Sequence, residues 1–138
     1  MITENRMKHI LGVARQCYNI AKIKGFNEEF CKRMFMVGYV HDVGYEFSAD
    51  IHGYEGEKLL ETIGVSSETV KLAVSNHGSV RESYSDELRI LNMADMTVDS
   101  QGNVVTALDR ITDIGNRYGF DSEVYKRAEK LCSILGLL

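Results

Sequence analysis

Met34-Phe35-Met36-Val37-Gly38-Tyr39-Val40-His41-Asp42 is an apolar run that closes on an imidazole beside a carboxylate. Two metal-ligating side-chain types thus stand at the edge of a buried segment, where a site can be kept rigid and partly dry. Upstream, Asn27 suits an N-cap, and Glu28 and Glu29 suit the positive end of a helix dipole. The pattern predicts a helix from about 28 to 42 that stops at Gly44. Tyr39, inside the run, reads as an aromatic core residue.

The same punctuation extends in both directions. Met7, Ile10, Leu11, Ala14, Cys17, Tyr18 and Ala21 recur at helical spacing over residues 3–23, and Gly25 ends that segment. Residues 45–52 read as a loop. Further helices are expected at about 54–63 and 67–77, each followed by a glycine. Another is capped by Ser85 and runs through Val98. The next runs from Val104 to Tyr118, and a last one, capped by Asp121 or Ser122, ends near Leu135. Strand signals are weak, and the Val104-Val105 pair falls inside a helical pattern. The expected fold class is all-α: one domain over residues 1–138, with six or seven helices around one core.

Composition narrows the function. The chain has 138 residues, 44% hydrophobic and 26% charged, with a net charge of −4, which is ordinary for a globular domain. No basic stripe suits an extended nucleic acid. The first eight residues are too polar for a signal peptide, and no apolar stretch reaches the ~20 residues of a membrane span. Cys17, Cys31 and Cys132 are odd in number and widely spaced. They read as buried or free thiols in a reducing cytoplasm, with a catalytic thiol as the minor alternative.

The histidines are His9, His41, His52 and His77. His9, His41 and His77 fall on different expected helices and His52 at the opening of another, as Asp95 falls on a further one, between apolar Ala94 and Met96. A carboxylate there is costly to bury without a metal or a basic partner. A helical bundle builds an interior metal site from such scattered positions. Imidazole with carboxylate suits one or two divalent transition ions, Fe, Mn, Zn, Co or Ni, better than calcium.

Three segments carry a family resemblance. RMKHILGVA (6–14), MVGYVHDVGY (36–45) and LNMADMTVD (91–99) resemble the motifs of the HD-domain superfamily of metal-dependent phosphohydrolases. The resemblance implies that His9, His41, Asp42 and Asp95 hold one ion, with His41, Asp42 and Asp95 at the catalytic centre. IHGYEGEKLL (51–60) and VSNHGSV (74–80) resemble the added histidine segments of small bacterial members with two ions. There, Asp42, His52 and His77 would hold the second ion, with Asp42 bridging both. The implied activity is hydrolysis of a phosphate ester or anhydride of a small molecule, a nucleotide above all.

Tyr45 departs from the family pattern, which often has a phosphate-binding Lys after His-Asp-x-Gly. Tyr45, Arg6 and Arg81 are the candidate substrate contacts. Arg6 suits a substrate phosphate or an acidic neighbour equally well, and Arg81 also suits a solvated loop. Asp99 reads as the solvated end of a helix. The departure at Tyr45 keeps a second class open: a catalytically weak regulatory module that binds nucleotide or metal. A di-iron oxygenase ranks below both. The apolar residues 134–138 suit the core or a homodimer contact.

Overall fold

Five capped helices account for most of the described chain. The computed structural model describes residues 3–42 and 77–138. In chain order, α1 is Glu4–Ile23, α2 Glu28–Val40, α3 Asp86–Asp95, α4 Ala107–Tyr118 and α5 Glu123–Ile134. Thr3, Asn27, Ser85, Thr106 and Ser122 each accept a main-chain N–H of the first turn through a side-chain oxygen. These caps satisfy donors that a helix start otherwise leaves orphaned. The described chain is all-helical apart from one isolated bridge. The two helices expected at about 54–63 and 67–77 lie outside the described residues.

The segment between α3 and α4 corrects the sequence reading. The helix expected through Val98 stops at Asp95, and the one expected from Val104 begins at Ala107. Val98 and Val104 instead pair as an antiparallel bridge. Asp99 explains the break. Its Oδ1 accepts N–H groups from Gln101 and Asn103, both at 2.9 Å, and such local bonds compete with helix. Gly102, at φ +83°, completes the turn.

A short turn at 24–27 folds α1 and α2 into an antiparallel hairpin, so the start of α1 meets the end of α2. The approach is close: a Cβ on Gly38 would lie 2.7 Å from the Ala14 Cα. Val13, Cys17, Met34, Val37, Leu91 and Val98 fill the core between α1, α2 and α3. A second cluster joins α4 and α5 to the end of α3 through Met96, Ile111, Ala128 and Leu131. Leu135 and Leu137 pack on that cluster, whereas Leu138 is exposed. Tyr39 is 41% exposed, so it is not the core aromatic its sequence context suggests. Its neighbours Val37, Gly38 and Val40 take the buried face of α2.

Candidate metal centre

Three helices deliver the site: the first half of α1 (His9), the end of α2 (His41 and Asp42) and the end of α3 (Asp95). One ligand atom from each of the four lies within 4.8 Å of every other. His9 Nε2 is 3.0 Å from Asp95 Oδ1 and 3.7 Å from Asp42 Oδ2. His41 Nε2 is 3.2 Å from Asp42 Oδ2 and 3.5 Å from Asp95 Oδ1. Ligands about 2.1 Å from a common ion, at roughly 90–110° to one another, are about 3.0–3.4 Å apart. The cluster thus has the dimensions of a coordination shell.

The tautomers make the same point. His41 Nδ1 is 2.6 Å from the Gly38 carbonyl, and His9 Nδ1 is 3.0 Å from the Asp99 carbonyl. A carbonyl only accepts, so both Nδ1 atoms carry the proton and donate it. In the neutral rings, both Nε2 lone pairs then face carboxylate oxygens. Acceptors facing acceptors require a cation between them, either a metal ion or a second proton on each ring. His41 Nε2 is buried and has no hydrogen-bond partner among the described residues. The four residues therefore fit a divalent metal with nitrogen and oxygen ligands.

Asp42 divides its two oxygens. Oδ2 faces the four-residue cluster, while Oδ1 lies 3.5 Å from His77 Nε2. Arg6 Nη1 also contacts Oδ2, at 3.2 Å. His77 is brought in by a bond that sequence reasoning missed: the Gly78 N–H donates to Asn92 Oδ1 at 2.7 Å. Asn92 is fully buried in α3, and an amide between Leu91 and Met93 in an apolar pattern was a readable signal. Asp99 contributes through its main chain, by orienting His9. His52 and Tyr45 lie outside the described residues. Arg81 is exposed, and its N–H donates to the Tyr84 hydroxyl at 3.1 Å.

The cluster opens into a cavity of about 640 Å³ that Arg6, Arg110 and Arg127 help to line. Neither Arg110 nor Arg127 was signalled by any sequence motif. Arg110 Nε–H donates to the Asp95 carbonyl at 3.2 Å, tying α4 to the end of α3.

A family description, HD domain, matches residues 6–98. The chain belongs to the HD-domain family. No curated protein and no solved structure matches it significantly. The match spans α1 to α3 and thus all four clustered residues of this HD domain. The helices α4 and α5 lie beyond it.

Without metal, the cluster must hold protons, which sets a pH dependence. Burial opposes charge on His41, but Asp42 and Asp95 hold its pKa well above the ordinary 6.5. Burial likewise opposes charge on the two carboxylates. His41 and His77 nevertheless hold Asp42 well below its ordinary 3.8, and His41 and His9 do the same for Asp95. A raised histidine stabilises fully below its unfolded pKa and loses that contribution as pH climbs through the folded one. The depressed carboxylates contribute above about pH 4 and lose it as pH falls further. Metal-free protein should therefore be most stable between about pH 4 and 6.5, with Tm falling at higher pH. Added Mn²⁺ should reverse the trend, because ligand protons compete with metal. Calorimetry in chelator checks this; a metal-free Tm that climbs steadily from pH 6 to 8 contradicts it.

Proposed function

We propose that this HD domain is a metal-dependent phosphohydrolase that cleaves a phosphate ester or anhydride of a small molecule, in the first instance a nucleotide. The observation that carries the reading is the four-residue nitrogen and oxygen cluster at the floor of an arginine-lined cavity. His9, His41, Asp42 and Asp95 would hold one divalent ion. The division of Asp42 between that cluster and His77 supports a second ion, held by Asp42, His77 and His52. Such ions lower the pKa of water and polarise a phosphoryl oxygen.

The chain's own residues supply the rest. The Gly38 and Asp99 carbonyls lock the ligating tautomers of His41 and His9. Arg6 places a guanidinium group at the cavity beside Asp42, where charge develops on transferring phosphoryl oxygens. Among the described residues, no helix is long and apolar enough to cross a membrane. The three cysteines are all buried and unpaired, which supports a reducing, cytoplasmic setting.

Elemental analysis of the purified protein should find at least one Fe, Mn, Zn, Co or Ni ion per chain. A panel of nucleotides and phosphomonoesters, with each metal restored in turn, should show turnover that chelator abolishes. Metal bound with no product from any substrate would favour the regulatory-module reading. Protein that retains no metal under any condition would exclude the phosphohydrolase, and the absence of nucleotide binding as well would exclude the regulatory module.

A further inference from the structure

The helices beyond the family match contribute a face to the metal cavity. Val124, Arg127, Ala128 and Leu131 of α5 all line it. Their spacing is i, i+3, i+4 and i+7, which places them on one side of the helix. Arg127 is the one charge on that face. Among the described residues it makes no hydrogen bond or ion pair, whereas Arg6 is engaged with Asp42. Arg110 reaches the same cavity from α4, with its side chain 14% exposed. Its Nε is bonded to the Asp95 carbonyl, which fixes the plane of the guanidinium. The other donors of that fork belong to Nη1 and Nη2.

Charge bookkeeping points to an anion. Among the described lining residues, three arginines face two carboxylates, Asp42 and Asp95. A divalent ion at the cluster would cancel the two carboxylates, so among the described lining residues Arg110 and Arg127 leave an excess of positive charge. A single phosphomonoester carries only about −1.5 to −2 at neutral pH. The chain as a whole is acidic, at −4, so this local positive excess runs against its overall charge. The apolar wall and a volume within the usual ~300–1,000 Å³ of small-molecule sites leave room for an organic group.

We propose that α4 and α5 add an anion subsite in which Arg110 and Arg127 hold a second anionic group, phosphoryl or carboxyl, of the substrate whose phosphate sits at the metal centre. The proposal rests on the phosphohydrolase reading above. It makes the two arginines specificity determinants, and it makes substrates with two separated anionic groups the preferred class.

Calorimetric titration of the full metal-loaded chain tests this, with Mn²⁺ kept in excess over ligand. The probes are inorganic phosphate, phosphonoacetate and methylenediphosphonate. At least one two-headed probe should bind about tenfold or more tighter than phosphate. Arg127→Met should remove about tenfold of that affinity while weakening phosphate by less than about threefold. Arg127→Lys, which keeps the charge but loses the fork, should fall between. A preference for phosphonoacetate identifies a carboxylate group, and one for methylenediphosphonate a phosphoryl group. Equal affinities for all three probes would overturn the subsite, and so would an Arg127→Met effect equal on all three. Either result with metal and phosphate still bound leaves the phosphohydrolase reading intact. Loss of metal and phosphate binding from the unaltered protein sinks both.

Discussion

Asp42→Ala is expected to remove bound metal and to lower the proposed phosphohydrolase activity by about three orders of magnitude or more, or ~4 kcal/mol of barrier. Among the described residues, no other side chain at the site meets as many charged or ligating partners. Its Oδ2 lies 3.2 Å from His41 Nε2, 3.7 Å from His9 Nε2 and 3.2 Å from Arg6, and its Oδ1 is 3.5 Å from His77. Alanine deletes a carboxylate from the four-residue cluster and its ion pair with His77. The loss should fall on the site rather than on the fold. With the carboxylate gone, His41 can shed its second proton, so no stranded cation need remain in the core. Arg6 is partly exposed and can turn to water. Elemental analysis and activity assays on the variant, with circular dichroism to confirm helicity, check this. Native metal content and native turnover in Asp42→Ala would disprove the assigned centre.

Gly12→Val should cost about 3 kcal/mol and lower Tm by roughly 10 °C. Gly12 lies one turn after His9 on α1, where the helix presses on the turn at 99–102. A Cβ there would sit 2.6 Å from the Gly102 carbonyl oxygen, 2.7 Å from the Gly102 Cα and 2.8 Å from Val98 Cγ1. Two of those atoms are main chain and cannot swing aside. Valine adds two methyl groups to that clash, and its helix propensity returns only a few tenths of a kcal/mol relative to glycine. The turn it displaces is the one whose Asp99 carbonyl accepts from His9 Nδ1 and from the Gly102 N–H, at 3.0 and 3.1 Å. Metal affinity should therefore fall with stability, by about 10- to 100-fold for a misoriented ligand. Thermal melts with and without Mn²⁺ measure both effects. An unchanged Tm would mean that α1 and the turn do not touch as described.

Local chemistry made much of this legible in the sequence. Asn27, Ser85 and Ser122 are caps because their side chains reach the first-turn N–H groups, and that reach depends only on near neighbours. His9, His41, Asp42 and Asp95 stood out because nitrogen and oxygen ligands in apolar segments have few other uses. The turn between α3 and α4 was misread because Val98 and Val104 fit a helical period, although Asp99 and Gly102 are turn residues with their own hydrogen-bonding and φ preferences. Arg110 and Arg127 were silent because their importance depends on how α4 and α5 dock on Met96. No spacing within those helices encodes that contact. Asn92 is intermediate: its burial was readable, but its partner, Gly78, was not.

The cysteines gain a meaning beyond compartment. Burial pushes the Cys17 thiol far above its ordinary range and Cys132 up to about 11, so neither is a nucleophile in the closed protein. Cys17 and Cys31 belong to the cluster between α1, α2 and α3, and Cys132 to the one beneath α4 and α5. A thiol reagent can reach each group only when its own cluster opens. The molecule thus carries a separate clock in each half of its interior. The two clocks run together only if the half that carries the His-Asp cluster and the helices that roof it unfold as one.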